Sequence, residues 1–436
     1  MNDAAIESYL PDRDVVDEYE TLAAGGFGDG PRGRLLFVVS TTDLQASHGD
    51  VYVGLGLAKY LRRLGWGIVL WPRERWTEQT PAGIDTAIIM IESYVPGLVH
   101  PDTRVIAWIR NWTDEWASMP YLDIFDQLWC SSTLAAERMR GVYDGPVELV
   151  PLATDAELFA PAGVERNREV VTTANYWGAD RGLFSALERV AKEQPVTWFG
   201  RNLAALELPP GIETSQRADY FSLPFVYSSW KYVIDDAIPP AREYGMQNSR
   251  LFDALACGAT VLTNNAAGLD DLGLQEVPVY ADPDDLVAIL REGQGSPEAA
   301  MERAARLSAI VIAEHTYSNR ADAVDELLAR APRATSERTE LLAWSTRLRE
   351  QVREYEQRTH DLLTRATGAE SSHAGLLAER DSLQYWYNLA VMRISILENE
   401  AENTVSRRVT NNLKRLTPGR IAARVRRGSA GSGDAE

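Results

Sequence analysis

The chain has 436 residues, of which 45% are apolar and 25% are charged, and its formal net charge is −19. A chain of this length and composition exceeds one compact core, so we expect a globular protein with two domains and additional segments. The acidic balance argues against nucleic-acid binding, and no apolar run is long enough to predict a membrane-spanning helix.

Residues 1–32 are acidic and end in a glycine-rich stretch, so we expect a mobile or loosely docked lead-in. They lack the apolar run of a secretory signal. Cys130 and Cys257 lie far apart in apolar contexts, which indicates two reduced, buried thiols in a cytoplasmic protein. The five histidines are not clustered, so a histidine-based metal site is not expected.

Residues 33–160 alternate apolar, β-rich runs with helical patterns. Residues 34–39 predict a strand buried on both faces, and residues 51–66 carry the apolar spacing of a helix. Further strands are predicted at 67–71, 86–91, 104–109, 127–132 and 147–152. This alternation predicts a parallel sheet with crossover helices.

Turn residues cluster at 152–166, where we place a domain boundary, and residues 161–332 then repeat the alternation of strands and helices. The predicted strands of this half lie within 169–177, 196–200, 232–235, 259–263 and 277–280. The expected fold class is therefore α/β, with two Rossmann-like domains and a cleft between them.

Two different segments follow. Residues 335–402 place apolar side chains at alternating three- and four-residue steps, which predicts an α-helical coiled coil, either an antiparallel hairpin or a homo-oligomeric contact. Residues 403–436 form a basic amphipathic segment and tail, with no acidic residue between 407 and 427. We expect this segment to contact an anionic membrane surface; the alternative is a solvated tail.

The first candidate site is the loop after the first strand, residues 40–54. Ligands of open α/β sheets bind at the carboxyl ends of the strands, so His48 and Asp50 are candidate catalytic residues. Asp50 can equally be a helix N-cap. Gly54 and Gly56 fall inside the helical pattern, which disfavours a dinucleotide fingerprint.

The second candidate site is the loop that follows the first strand of the second half. Asn175 and Arg181 would lie beside a helix N-terminus, where an arginine suits a diphosphate; a structural salt bridge is the alternative for Arg181. Arg201, just past a later strand, is a weaker candidate of the same kind.

The third candidate site is the helix start within 246–265. Asn248 and Ser249 are good helix starters, and the free N–H groups of a first turn bind anions. Arg250 adds positive charge, and Asp253, one turn along, can accept hydrogen bonds from a ribose diol. The alternatives are simple capping by Asn248 and Ser249 and an exposed position for Asp253.

The stretch SRLFDALACGATVLTNNAAGLDDL resembles the C-terminal signature of group 1 glycosyltransferases with the GT-B fold, closest to their spore-coat-maturation-like branch. The stretches HGDVYVGLGLAKYLRRLGWGI, RVIAWIRNWTDEW and ANYWGADR are similar to further motifs of that branch, in the same order. The resemblance covers roughly residues 34–320. It implies a nucleotide-sugar donor bound mainly by the second domain, an acceptor bound mainly by the first, and no metal or other cofactor in the site.

Carried over by motif, the resemblance implies that Asn175, Arg181, Ser249 and Arg250 contact the diphosphate and that Asp253 binds the ribose. The chain also departs from the family. Gly245 stands where many relatives have a first acidic residue. Arg110 and Asn111 stand where many have a histidine, so that Asn111 joins His48 and Asp50 as a catalytic candidate.

The main hypothesis is a metal-independent hexosyl- or deoxyhexosyltransferase that acts on a cell-surface glycan or lipid-linked acceptor, in the cytoplasm or on the inner face of the plasma membrane. The alternative is a catalytically inactive GT-B-like scaffold or binding protein that acts through its coiled coil. An epimerase or phosphorylase of the same fold is a third hypothesis, although this chain shows no evident cofactor lysine.

Overall fold

The computed structural model describes residues 6, 9, 11–100, 102–175, 182–203, 206–215, 218–330, 351–355, 357–359, 380 and 382–395. Two compact units are distinguishable, Met1–Ala343 and Trp344–Glu436. Arg181, the basic segment 407–427 and most of the predicted coiled coil lie outside the described residues. Among the helices that are described, none combines the length and apolarity needed to cross a bilayer.

The first half of the larger unit is built on a parallel six-stranded sheet in the order β2-β1-β3-β4-β5-β6. Its strands are β1 (Arg34–Val38), β2 (Gly67–Trp71), β3 (Thr86–Ile89), β4 (Arg104–Ile109), β5 (Gln127–Cys130) and β6 (Val147–Leu149). Its helices are α1 (Arg13–Ala23), α2 (Gly49–Arg63), α3 (Thr113–Ala117) and α4 (Thr133–Arg140). All six strands lie where the apolar runs predict them.

The second half is built on a parallel five-stranded sheet in the order β11-β10-β7-β8-β9. Its strands are β7 (Arg168–Thr173), β8 (Val196–Phe199), β9 (Ile212–Ser215), β10 (Trp230–Ile234) and β11 (Thr260–Leu262). Its helices are α5 (Leu183–Ala191), α6 (Leu223–Ser229), α7 (Pro239–Glu243), α8 (Ser249–Ala256), α9 (Pro283–Gly295), α10 (Pro297–Glu314) and α11 (Tyr317–Arg330).

Two elements of the second half differ from the sequence expectation. Strand β9 was not expected, because its pattern of exposure belongs to a half-exposed edge strand rather than to a buried apolar run. Residues 277–280 form only an isolated bridge, from Thr263 to Val279, instead of a strand. The α/β fold class with two parallel sheets is confirmed.

Helix α11 returns from the second half to pack against α2 of the first half. A parallel bridge joins Thr154 to Thr316 at the start of this return. A Cβ atom placed on Gly56 would lie 2.5 Å from Cε2 of Tyr317, so the glycine inside α2 permits this close approach. The C-terminal end of the second half is therefore packed against the first half.

The acidic lead-in differs from the expected mobile segment. Helix α1 begins at an N-cap in which the Asp12 side chain accepts a hydrogen bond from Asp14 N. It buries Val15, Val16, Tyr19 and Leu22, in a helical spacing that a polar background obscured. Its apolar face makes the segment part of a hydrophobic cluster to which both halves contribute.

A buried charged cluster lies where α1 and α2 meet the chain that leaves the first sheet. Lys59 Nζ is 2.7 Å from Asp155 Oδ2 and 2.7 Å from Glu157 Oε2, and neither the Lys59 nor the Asp155 side chain has any exposed surface. The Tyr19 and Tyr60 hydroxyls also donate to Asp155, at 2.9 and 2.7 Å. These bonds satisfy a carboxylate that would otherwise be costly to bury.

The smaller unit is helical at 351–355, 357–359 and 382–395. The Arg358 guanidinium lies 6.0 Å from the Trp386 ring centroid, so the two helical runs approach each other. The later run exposes several large apolar side chains: Tyr385, Trp386, Tyr387, Val391 and Met392. The coiled coil itself stays a prediction.

Candidate functional site

A cavity of about 600 Å³ lies between the two sheets, lined by loops at the carboxyl ends of their strands. The first half contributes residues that follow β1, β2, β3 and β4, and the second half contributes residues that follow β7, β8 and β10 together with the start of α8. Eight of the ten predicted site residues line it: Asp50, Asn111, Asn175, Arg201, Asn248, Ser249, Arg250 and Asp253.

Backbone strain concentrates at this cavity. Three non-glycine residues of the described chain have positive φ: Ser47 at 54°, Trp112 at 55° and Asn202 at 62°. Ser47 and Trp112 line the cavity, and Asn202 follows the lining residue Arg201. Such conformations cost free energy and cluster at functional sites, which agrees with a functional role for the cavity.

The N-terminus of α8 opens into the cavity from the second half. Asn248 is the N-cap residue by position, yet its side chain makes no capping hydrogen bond. Its Nδ2 donates instead to Asp235 Oδ1 at 3.1 Å and to the Asp236 carbonyl at 2.6 Å. Simple capping by the Asn248 side chain is therefore not what the structure contains, and the first-turn N–H groups keep no side-chain acceptor from it.

Arg250 lies on the first turn of α8 and is held by the ends of two strands. Its Nε donates to the Thr173 carbonyl at 2.7 Å, and its Nη1 lies 2.8 Å from Asp235 Oδ1 and 3.4 Å from Asp236 Oδ1. Burial by itself lowers the pKa of the Arg250 guanidinium, but the Asp235 and Asp236 carboxylates outweigh it and raise that pKa. Arg250 is thus a positioned, permanently charged donor in the cavity wall.

Asp253 lies one turn further along α8 and is buried, not exposed. Its Oδ1 accepts a hydrogen bond from Thr154 Oγ1 at 2.6 Å. Burial raises the pKa of the Asp253 carboxyl well above its ordinary value, although the Thr154 hydrogen bond opposes the shift. A carboxyl in this setting is poised to exchange hydrogen bonds with a polar ligand group.

Asn175 and Arg201 connect the second half to the loop after β1. Asn175 Nδ2 donates to the Ser47 carbonyl at 3.1 Å, and Asn175 Oδ1 accepts from Arg201 N at 2.9 Å. The Arg201 guanidinium donates to the Gln45 carbonyl. Both residues line the cavity, and both bridge its two walls.

Asp50 lines the cavity from the start of α2, and both of its carboxylate oxygens are engaged. Oδ2 accepts from Ser40 N at 2.7 Å, and Oδ1 accepts from Ser40 Oγ at 2.8 Å. His48 Nδ1 is 2.9 Å from the same Ser40 Oγ, and His48 is not among the residues that line the cavity in the described chain. Ser40 therefore organises both candidates, with Asp50 facing the cavity.

Arg110 and Asn111 line the cavity directly after β4. Arg110 Nη2 donates to the Met90 carbonyl at 2.8 Å. Burial lowers the pKa of the Arg110 guanidinium, and nearby Asp50, Tyr317 and Glu92 oppose that shift. In the sequence Arg110 stands out only as a departure from a histidine, whereas the structure places it in the cavity wall.

Aromatic side chains form the remaining wall. The Tyr52 and Tyr220 rings stack at a centroid distance of 3.7 Å and an interplanar angle of 12°, one from α2 and one from the second half. Tyr227 and Tyr317 also line the cavity. Burial is the main cause that raises the pKa of each of these four phenols, so they act as neutral hydrogen-bonding groups.

Sequence reasoning missed the two carboxylates behind Arg250. Asp235 and Asp236 directly follow β10, and both are buried. The pattern VIDD, two acids at the end of a buried strand, was the available signal. Gly245, which stands in place of an acid, adopts a φ of +64° against the Ala267–Gly268 backbone. No cluster of metal-binding side chains is present in the part of the chain that the structure describes.

Comparison with known proteins finds a family match for part of the sequence and a shared fold. Residues 168–326 match the family model described as glycosyl transferase-like, which spans the whole second sheet. A sucrose-phosphate synthase from Thermosynechococcus elongatus has a TM-score of 0.54 at 13% identity, with 69% of this chain and 99% of that chain covered. This likeness shows a shared fold, the GT-B arrangement of two parallel α/β domains.

Two further solved structures score lower. Anabaena HepE in complex with UDP-glucose has a TM-score of 0.49 at 11% identity, covering 68% of this chain and 99% of that chain. An E. coli protein that is named for trehalose-6-phosphate and is bound with UDP-2-fluoro glucose has a TM-score of 0.49 at 10% identity. The match covers 69% of this chain and 100% of that chain. The comparison with curated proteins found no match.

Proposed function

We propose that this protein is a glycosyltransferase that moves a sugar from a nucleoside diphosphate sugar to a hydroxyl group of an acceptor. The observation that carries the proposal is the start of α8, where the Asn248 side chain caps no first-turn N–H group and Arg250 lines one cavity together with Asp50. A helix N-terminus and an arginine stabilise the charge that develops on a leaving diphosphate. The match of residues 168–326 to a glycosyl transferase-like family supports it.

In this reaction the bond between the anomeric carbon and the diphosphate oxygen breaks, and its electron pair leaves with the nucleoside diphosphate. A bond from the acceptor oxygen to the anomeric carbon forms. The acceptor hydroxyl loses its proton, for which we propose the Asp50 carboxylate as the base. Ser40 orients that carboxylate by two hydrogen bonds, of 2.7 and 2.8 Å.

The donor-side roles follow from position. Ser249 and Arg250 would bind the diphosphate, Asn248 would keep Asp235 and Arg250 aligned, and Asp253 would bind the ribose. Asn175 and Arg201 would close the cavity around the donor, because they bridge its two walls. Arg181 stays a proposed diphosphate ligand. We further propose a hexosyl or deoxyhexosyl donor without a catalytic metal, since arginine and the helix N-terminus supply the charge stabilisation.

We also propose a glycan or lipid-linked acceptor, membrane contact through 407–427 and self-association through 335–402, and thus an enzyme of the cytoplasm or its membrane face. These proposals rest on the basic and heptad-like patterns of those segments. Membership of the spore-coat-maturation-like branch rests on the motifs alone.

Calorimetric titration with UDP, GDP and dTDP tests the donor site. We expect one nucleotide to bind in the micromolar range, and Arg250→Ala to lose about 1.5–3 kcal/mol of binding free energy. The control is Arg306→Ala, which removes an exposed arginine paired with Glu276 at 2.6 Å. Thermal melting of both variants is used to check that they fold. Failure of all three nucleotides to bind would overturn the proposal in favour of the scaffold hypothesis.

A further inference from the structure

Two half-buried arginines, Arg110 and Arg250, lie in the cavity wall, and they differ in their hydrogen-bond and ion-pair partners. Arg250 is paired with Asp235 and Asp236. Arg110 makes no ion pair with any carboxylate in the described ranges, and its one hydrogen bond there runs from Nη2 to the Met90 carbonyl. Its Nε is fully enclosed and has no hydrogen-bond acceptor in those ranges.

A cation in this position carries an uncompensated cost. An arginine stays protonated in proteins, so burial cannot be relieved by loss of the proton. An enclosed charge without a hydrogen-bonded counter-ion is strongly unfavourable. The folded protein therefore retains in the cavity wall a positive charge that has no ion-pair partner among the described residues and is only partly compensated by more distant groups.

The neighbouring carboxylates do not supply the missing partner. Asp50 and Glu92 lie near enough to influence the Arg110 guanidinium, but neither forms an ion pair with it. Both Asp50 oxygens already accept hydrogen bonds from Ser40. The guanidinium can therefore pair with an anion of a ligand, and a phosphate, with a charge of about −1.5 to −2, attracts it more strongly than a singly charged carboxylate does.

The position of Arg110 assigns this anion to the acceptor. Arg110 follows β4 in the first half, whereas the proposed diphosphate ligands Ser249 and Arg250 follow β10 in the second half. We propose that Arg110 binds a phosphoryl group of the acceptor, which makes phosphorylated sugars or diphosphate-linked lipid sugars the substrate class. This inference rests on the proposed function and deepens it.

The test uses the full chain saturated with its nucleotide, which is whichever of UDP, GDP and dTDP it binds, and titrated calorimetrically with four probes: methyl phosphate, glucose 6-phosphate, glucose and glucuronate. A fifth probe, a short-chain prenyl diphosphate glucose, distinguishes a lipid-linked source from a soluble one. We expect a phosphorylated probe to bind at least tenfold more tightly than glucose. Whichever of glucose 6-phosphate and the prenyl probe binds more tightly identifies the source.

Three variants locate the effect. Arg110→Gln should lose at least tenfold in affinity for the phosphorylated probe, and Arg110→Lys should recover part of that loss. The matched control is Arg75→Gln, an exposed arginine paired with Glu78 at 2.9 Å and not among the lining residues. It should bind the probe as the unaltered chain does. The affinity for the nucleotide should stay within about twofold of that of the unaltered chain in all three variants.

Several outcomes would overturn the inference. If the phosphorylated probes bind no more tightly than glucose, there is no phosphate subsite. If glucuronate binds more tightly than the phosphorylated probes, the subsite recognises a carboxylate and not a phosphate. A parallel loss of nucleotide affinity in Arg110→Gln would show that Arg110 belongs to the donor site. Absence of binding of UDP, GDP and dTDP alike by the unaltered chain would count against the proposed function itself, which separates that failure from failure of the subsite.

Discussion

Asp235 and Arg250 form a buried ion pair behind the N-terminus of α8, with Asp235 Oδ1 2.8 Å from Arg250 Nη1 and no exposed surface on the carboxylate. Asp235 Oδ1 also accepts from Asn248 Nδ2, and Oδ2 accepts from Thr263 Oγ1 at 3.0 Å. One carboxylate thus holds two polar residues of the helix start against the end of β10 and β11.

Asp235→Asn is expected to lower the free energy of unfolding at neutral pH by up to about 3 kcal/mol, because it leaves Arg250 with Asp236 as its sole carboxylate partner in the described chain. Urea denaturation measures the change. Glu276→Gln, which breaks an exposed pair with Arg306, is the control and should change the free energy by less than about 1 kcal/mol. A variant as stable as the original would mean that Asp235 is neutral in the folded protein.

Asp253→Asn is expected to gain stability relative to the original chain as the pH rises from 5 to 8. Burial raises the folded-state pKa of Asp253 above its ordinary value, so the original chain is stabilised at low pH and loses that stability as the pH rises through the folded-state pKa. The asparagine does not titrate. Urea denaturation at several pH values measures the difference, with exposed Asp271→Asn as control; a difference independent of pH would contradict the expectation.

Glu157→Gln is expected to flatten the acid side of the stability curve. The Arg63 hydrogen bond, followed by Lys59, lowers the pKa of the Glu157 carboxyl to about 2. The contribution of Glu157 to the free energy of unfolding is therefore present above the ordinary pKa of 4.5. It is lost as the pH falls towards about 2.

The Glu157→Gln variant should be less stable than the original chain at pH 7. It should lose less stability than the original chain as the pH falls from 4.5 to about 2. Acid titration of the thermal midpoint measures both quantities. Glu148→Gln, at the edge strand β6, provides the comparison. An acid limb as steep as that of the original chain would show that other carboxylates dominate the loss.

Gly56→Ala is expected to lower the free energy of unfolding by about 1–3 kcal/mol, because the new methyl would lie 2.5 Å from the Tyr317 ring and separate α11 from α2. Gly49→Ala is the matched control, since no atom lies within 4 Å of a Cβ at that position. Chemical denaturation of both variants measures the difference. Equal stabilities would show that α11 moves away without cost.

Much of the fold follows from local pattern. The runs RLLFVV and RVIAWI predict buried parallel strands because their apolar content leaves no face for water, and they form β1 and β4. Helix α1 was missed because four buried side chains stand among acidic residues in a segment whose composition suggested mobility. Strand β9 was missed because an edge strand keeps exposed positions.

The candidate site was predictable as a location and less so as a set of contacts. Residues that follow parallel strands lie at the carboxyl edge of their sheet, and the edges of the two sheets bring Asp50, Asn111, Asn175 and Arg250 to one cavity. The partners of these residues depend on distant segments, as in the hydrogen bonds from Asn175 to Ser47 and from Thr154 to Asp253. No local pattern carries that information.

The sequence by itself determined the alternation of strands and helices, the position of the helix start at Ser249 and the presence of a cleft, because periodicity and turn chemistry act over a few residues. Only the tertiary structure decided that Arg250 is paired with Asp235 and that Arg110 is left without a carboxylate partner among the described residues. The physical reason is that the electrostatic state of a buried charge depends on which groups the packed chain brings to it.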